Sequence, residues 1–298
     1  MKKVTALILT ACLFFLLGGC AGQQAGDDGK LQVYTSFYTM YDFTKKIGGD
    51  RIACVNLVPT GVEPHDWEPS TSDIRNLENA DMFIYNGAGM ETWAEKVIGS
   101  LSNEELTVVE ASAGVKLISE GSGEHDTDPH VWLNPQNAKL EMENIKNALA
   151  QRDPDNKDYY EANYETYAAR LDELDERYRT TLEACSLKDM VVAHEAFGYL
   201  CETYGLNQVA IEGLQADSEP SVSRMAEIVD FVRENKVRYI LYEELISPKV
   251  AETVAQEAGV KTAMINPLEG LSEEAIQAGE DYISVMESNL ETLKLALE

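Results

Sequence analysis

The stretch from Asp155 to Ala184, DNKDYYEANYETYAARLDELDERYRTTLEA, decides the architecture because it contains neither glycine nor proline. Tyrosines and leucines recur along it at steps of three and four residues: Tyr160, Tyr164, Tyr167, Leu171, Leu174, Tyr178 and Leu182. This spacing places them on one face of an α-helix. A helix of this length spans roughly 45 Å at about 1.5 Å per residue. We therefore predict one long helix that joins two lobes and packs its tyrosine and leucine face into a core.

Short β-rich runs alternate with helical segments on both sides of this helix. We predict strands at 31–36, 52–58, 81–85, 106–110, 189–193, 208–211, 239–242 and 262–265. We predict helices at 38–47, 71–79, 91–101, 137–151, 197–204, 221–235, 248–258 and from 281 onward. Such alternation is typical of βα units that build a parallel sheet. The predicted fold class is α/β, with two lobes that each hold a mainly parallel sheet flanked by helices.

The first twenty residues have the form of a secretory signal. Lys2 and Lys3 precede an apolar run at 6–17 that is shorter than the roughly 20 residues of a membrane span. Leu17-Gly18-Gly19-Cys20 resembles the bacterial lipobox, whose cysteine is lipidated after cleavage. An ordinary signal peptide with an incidental cysteine is the alternative. The predicted organisation is a lipoprotein signal peptide at 1–19, a flexible tether at 20–30, an N-terminal lobe at 31–152, the connecting helix at 153–186 and a C-terminal lobe at 187–298.

Charge and cysteine content limit the functions that we consider. The formal net charge of −28 argues against a nucleic-acid partner, for which a basic surface is expected. If Cys12 leaves with the signal and Cys20 is lipidated, an odd number of cysteines remains, which allows at most one disulfide bond. Cys185 and Cys201 flank a predicted strand, so we expect that pair to form the bond if one exists.

Three of the four histidines lie where a predicted strand gives way to a loop or a helix. They are His65, His130 and His194. Ligands of open α/β sheets bind beyond the carboxyl ends of the strands, and these residues come from both sides of the long helix. They could therefore face one cleft, where neutral imidazoles would suit zinc or another transition metal. The alternative for each histidine alone is an ordinary surface or hydrogen-bonded residue.

Acidic neighbours stand close to each of these histidines in the sequence. Glu63, Asp128 and Glu195 could accept hydrogen bonds from the ring nitrogens that do not bind metal. They could equally be solvated charges. Trp132, two residues after His130, would help to shield a metal from water.

Four segments resemble the zinc- and manganese-binding solute-binding lipoproteins of bacterial ABC importers. They are Pro64-His65-Asp66-Trp67-Glu68-Pro69-Ser70, Asp128-Pro129-His130-Val131-Trp132-Leu133-Asn134-Pro135, His194-Glu195-Ala196-Phe197-Gly198-Tyr199 and Asn266-Pro267-Leu268-Glu269-Gly270-Leu271. The resemblance implies two α/β lobes joined by one rigid helix, with a divalent metal in the cleft between them. It also implies a monomeric, non-enzymatic receptor that a lipid anchor holds at the extracytoplasmic face of the cell membrane. Such a receptor captures Zn²⁺ and delivers it to an ABC transporter permease.

The resemblance also implies a set of metal ligands. His194 stands where the family's manganese binders usually have a glutamate, which indicates zinc. The fourth ligand implied is Glu269, with Asn266, Glu63 or a water molecule as alternatives. His125 would belong to a short accessory metal-gathering loop or be a plain surface residue. The alternative functions are a manganese receptor of the same family, a metal-containing surface adhesin and a secreted zinc hydrolase.

Overall fold

A computed structural model describes residues 29–119, 127–214 and 220–298. Within this part of the chain, Leu31–Glu298 forms one compact unit. The predicted signal peptide, Cys20 and His125 lie outside the described residues. No helix in the described ranges is long and apolar enough to cross a membrane.

The first lobe is built around a parallel sheet. Its strands are β1 (Leu31–Thr35), β2 (Ile52–Asn56), β3 (Met82–Tyr85) and β4 (Thr107–Glu110), in the order β2-β1-β3-β4. All three strand pairs are parallel. The helices of this part are α1 (Tyr38–Gly48), α2 (Thr71–Leu77) and α3 (Ala94–Ile98). Because the strands are parallel, the loops that follow them all begin at the same edge of the sheet.

Two helices lead from the first sheet to the second. They are α4 (Pro135–Arg152) and α5 (Lys157–Ala184). The second lobe repeats the strand order of the first with β5 (Asp189–Val192), β6 (Asn207–Ala210), β7 (Tyr239–Tyr242) and β8 (Lys261–Met264), arranged β6-β5-β7-β8. These strands are also parallel. Its helices are α6 (Gly198–Tyr204), α7 (Val222–Glu234), α8 (Lys249–Ala258), α9 (Glu273–Ala278) and α10 (Tyr282–Leu297).

This architecture confirms the predicted fold class, with two parallel-sheet lobes joined by the long helix α5. The differences lie at element ends. Residues 91–93 do not start a helix, because the Glu91 carboxylate accepts the backbone N–H groups of Asn86 and Gly87 and holds a turn there. Helix α4 begins earlier than predicted, with Pro135 in its first turn and the Asn134 side chain accepting the N–H of Gln136. Helix α9 was not predicted.

Helix α5 packs against elements of both lobes. It contacts α1 and α4 on one side and α6 and α10 on the other. The face predicted from the sequence is buried at Tyr160, Leu171, Leu174, Tyr178 and Leu182. These side chains belong to one hydrophobic cluster that also includes Val33 of β1 and Val192 of β5. The two sheets are therefore held by a shared core rather than by a free-standing connector.

Cys185 and Cys201, the pair expected if a disulfide bond exists, do not form one. Both thiols are free and buried. The thiol of Cys185, just after α5, donates to the carbonyl of Thr181 at 3.4 Å. The thiol of Cys201, inside α6, lies 3.4 Å from the sulfur of Met190. The two side chains are directed to different partners, which closeness in sequence could not reveal.

We predict that Tyr178→Phe lowers the free energy of unfolding by about 1–2 kcal/mol, because a buried carbonyl loses a donor. The Tyr178 hydroxyl donates to the carbonyl of Met286 in α10 at 2.6 Å. Urea unfolding followed by circular dichroism measures the change. Tyr164→Phe, at a half-buried position of the same helix, is the control, with an expected change within about 0.5 kcal/mol. Equal effects of the two substitutions would contradict a specific role for this hydrogen bond.

Candidate metal centre

The four candidate ligands follow the carboxyl ends of four strands. His65 comes after β2 and His130 after β4 in the first lobe, whereas His194 comes after β5 and Glu269 after β8 in the second. One ligand atom from each side chain can be chosen so that all four lie within 4.8 Å of one another. The structure thus brings together the whole ligand set that the sequence resemblance implied.

The distances between these atoms fit a small tetrahedral ion. Nε2 of His65 lies 3.2 Å from Nε2 of His130. Oε1 of Glu269 lies 3.3 Å from Nε2 of His65, 2.9 Å from Nε2 of His130 and 3.9 Å from Nε2 of His194. For zinc bonds of about 2.0–2.1 Å, the edges of a regular tetrahedron measure about 3.3–3.4 Å. Small adjustments would bring all four atoms to bonding distance of one central ion.

His130 is fully buried and is held by Asp128. One oxygen of Asp128, Oδ1, accepts both the backbone N–H of His130 at 2.9 Å and its ring Nδ1–H at 2.7 Å. This contact fixes the tautomer that leaves Nε2 free to bind a metal. Burial alone would lower the pKa of His130, but its contacts with Asp128 and Glu269 raise it above the ordinary value. Asp128 is thus the acidic neighbour that the structure places against the ring of His130.

Glu243 supports His194, and the sequence reasoning missed it. Its carboxylate lies 3.0 Å from Nδ1 of His194, and both side chains are buried. Burial alone would lower the pKa of His194, but the charges of Glu243 and Glu269 raise it to about 10. In this protonated state, Nε2 can donate to the carbonyl of Leu214 at 3.1 Å. Glu243 directly follows the predicted strand at 239–242. Its position fits the rule that had identified the histidines, namely that ligands lie beyond strand ends, but the rule was not applied to it.

Glu195 and Glu63 occupy other positions. The backbone N–H of Glu195 donates to the carbonyl of Gly213, and Nδ1 of His194 contacts Glu243. The Glu63 carboxylate accepts the backbone N–H of His65 at 2.9 Å. Burial and the charge of Glu269 raise the pKa of Glu63. Glu63 therefore stabilises the turn that carries His65.

Glu269 sits in a loop that other residues hold in place. The Asn266 side-chain oxygen accepts the N–H of Leu268 at 2.7 Å, and Leu268 has a positive φ of 63°. Asn266 is thereby used to shape the loop rather than to face the three histidines. Burial alone would raise the pKa of Glu269, but the neighbouring histidines, His65 and His194 first, hold it well below its usual range. A carboxylate charge is thus favoured at the position where a cation would bind.

Trp132 links the two halves of the centre. Its ring lies 5.4 Å from that of His130, and its Nε1–H donates to the carbonyl of Pro267 at 2.7 Å. Trp132 is completely buried. Its ring therefore packs against His130, and its hydrogen bond fixes the loop of Glu269 against the first lobe.

The chain is similar to known proteins along nearly its whole length. The profile of the family described as zinc-uptake complex component A, periplasmic (ZnuA), matches residues 33–296. The high-affinity zinc uptake system protein ZnuA of Bacillus subtilis is 43% identical over 313 residues, which cover 99% of this chain and 98% of that protein. The zinc-binding lipoprotein AdcA of Streptococcus pneumoniae is 41% identical over 306 residues, which cover 99% of this chain but only 61% of AdcA.

A solved structure shares the fold as well as the sequence. The crystal structure of the Zn(II)-bound ZnuA-like domain of Streptococcus pneumoniae AdcA has a TM-score of 0.81 and 42% sequence identity, and the match covers 90% of this chain and 99% of that domain. Three observations indicate the same family: the two-lobe fold, the convergent side chains and the match over residues 33–296. The chain belongs to the ZnuA family of zinc-uptake components.

Proposed function

We propose that this protein is an extracytoplasmic receptor that captures Zn²⁺ through His65, His130, His194 and Glu269 and delivers it to an ABC importer permease. The observation that carries the proposal is the convergence of these four buried side chains at distances that suit one tetrahedral ion. The names of the Bacillus subtilis and Streptococcus pneumoniae relatives, a zinc uptake protein and a zinc-binding lipoprotein, agree with it. The name of the Streptococcus pneumoniae relative, a lipoprotein, supports a lipid anchor at Cys20.

The donor set favours zinc over manganese. Imidazole suits zinc and other later transition metals, whereas Mn²⁺ stands lower in the affinity series and prefers more oxygen ligands. Three nitrogen donors and one carboxylate oxygen match a closed zinc site. With four protein ligands around the ion, no position remains open for the water that a catalytic zinc keeps. These features support a binding protein that is not an enzyme.

His130→Ala is predicted to weaken zinc binding by more than the roughly 10–100-fold that loss of a supporting group typically costs, because a ligand itself is lost. The protein should still fold, because the backbone N–H of residue 130 can still donate to Asp128 in the variant. Competition with a chromogenic zinc chelator measures the affinity, and thermal unfolding in chelator checks the fold. Unchanged affinity in a folded variant would mean that the site is misplaced.

The receptor function itself is tested in cells that lack their own copy of this protein. The unmodified chain should restore growth in zinc-depleted medium, whereas His130→Ala should not. Full rescue by His130→Ala would contradict a role of this site in zinc uptake.

Glu243→Gln is predicted to weaken zinc binding by roughly 10–100-fold, because Glu243 orients His194 and increases its basicity. The comparison variant is Glu234→Gln, which removes the same charge at the exposed end of α7. Isothermal titration calorimetry with a competing chelator gives both affinities. If the two variants bind zinc equally well, Glu243 does not support the ligand.

Zinc binding near pH 7 is predicted to release protons. The pKa of His194 is raised to about 10 in the metal-free protein, so its imidazole is protonated at pH 7 and must lose a proton to bind zinc. Competition from this proton weakens as the pH rises toward 10, so the apparent zinc affinity should increase over that range. Calorimetry in buffers of different ionisation enthalpy measures the number of protons released. A binding enthalpy independent of the buffer would contradict this prediction.

A further inference from the structure

A small cavity lies beside Glu269 at the seam between the two lobes. Its volume is about 10 Å³, and its lining includes Glu63, Glu243 and Glu244 together with Glu269. Glu63 belongs to the first lobe, whereas the other three carboxylates follow strands of the second. A space of about 10–15 Å³ holds one water molecule. The cavity is therefore too small for a zinc ion that keeps its full shell of water.

The carboxylates form a gradient of burial from solvent to the metal centre. Glu244 is exposed, Glu63 is half-buried and Glu269 is 2% exposed. Glu243 is also buried, but its carboxylate is engaged with His194. Glu244 and Glu63 thus stand between solvent and Glu269, and Glu63 also holds the turn of His65.

Glu269 connects the cavity to the metal centre, because it belongs to both. Its oxygen Oε2 is buried and has no hydrogen-bond partner among the described residues. A buried carboxylate oxygen without a partner is costly unless a cation or water satisfies it. Because Glu269 lines the cavity, a cation that enters there would meet this oxygen.

Gly270 allows the loops around the cavity to approach closely. A Cβ atom at this position would lie 2.8 Å from Cδ1 of Leu245 and 3.6 Å from the carbonyl oxygen of Val62. The first contact is closer than real Cβ atoms allow. A glycine here lets the loops of Val62, Leu245 and Glu269 meet without a shift of the Leu245 side chain.

Resting on the zinc function proposed above, we propose that this seam cavity is the port through which Zn²⁺ enters and leaves, with Glu244 and Glu63 as transient ligands. Glu244 binds the hydrated ion at the surface, Glu63 takes it inward, and Glu269 receives it. At each step a carboxylate oxygen replaces one water on the ion and is itself released when the next ligand binds. No electron is transferred in these ligand exchanges. Carboxylate oxygens replace the water ligands of the ion as it enters a space too small for its full water shell.

Stopped-flow kinetics on the full chain test the port. Zinc association is followed against a fluorescent chelator, and release is followed into an excess of a stronger chelator. Glu244→Gln should lower the association rate constant by roughly 10-fold, the low end of the roughly 10–10³-fold that focused charge contributes. The dissociation rate constant should fall by the same factor, so that the equilibrium affinity is unchanged, because Glu244 does not bind the ion in the final complex. Glu165→Gln, an exposed site on α5, removes the same charge and should change neither rate.

Each alternative outcome overturns the port. Rates equal to those of Glu165→Gln would show that zinc does not pass these residues. A lower association rate with unchanged dissociation would reflect general surface charge, and a weaker affinity with unchanged association would make the residue an equilibrium ligand. If the unmodified protein does not bind zinc, the proposed function fails, which is a separate result. Glu244 is exposed, so its substitution should leave the fold intact.

Discussion

The packing of residues 128–133 against the second lobe is the constraint on which the metal centre depends. Tyr199 donates to the carbonyl of Asp128 at 2.8 Å, Tyr282 donates to the carbonyl of Trp132 at 2.6 Å, and the Trp132 indole donates to Pro267 at 2.7 Å. These bonds are buried, so solvent does not compete for them and each would be costly to lose. The segment 128–133 of the first lobe is thereby held against the loop of the second lobe that contains Glu269. The ligands from the two lobes can meet only because this seam is fixed.

The supporting carboxylates then determine what the seam can bind. Asp128 contacts Nδ1 of His130, and Glu243 contacts Nδ1 of His194. In each histidine the other ring nitrogen, Nε2, is left directed toward the centre. Gly198 makes room for this arrangement, since a Cβ atom there would lie 2.4 Å from Oδ2 of Asp128. The acidic surroundings raise the pKa of both histidines, so protons compete with the metal. The same charges favour a divalent cation once those protons leave.

The sequence allowed the architecture to be predicted because local patterns carry it. The tyrosine and leucine periodicity predicted α5, and the alternation of strands and helices predicted two parallel sheets. The rule that ligands lie beyond strand ends identified three histidines, and the family resemblance added Glu269. Helix ends were predicted less well where a side chain overrides the pattern, as Glu91 does for residues 91–93.

Supporting contacts were the part that the sequence could not reveal. Glu243 is 49 residues from His194, and only the pairing of β5 with β7 brings their strand ends together. Glu195 is adjacent to His194 in sequence, yet Nδ1 of His194 contacts Glu243. Cys185 and Cys201 show the same limit, because closeness in sequence does not determine the direction of a side chain. Long-range contacts of this kind depend on topology, which local patterns leave open.

The most direct test of the metal centre is X-ray absorption spectroscopy at the zinc edge on the zinc-loaded protein. The account predicts four nitrogen or oxygen neighbours at about 2.0–2.2 Å, with outer-shell scattering from three imidazole rings. Scattering from only one or two imidazoles would contradict a site built from three histidines. A sulfur neighbour at about 2.3 Å would place the metal at a cysteine instead.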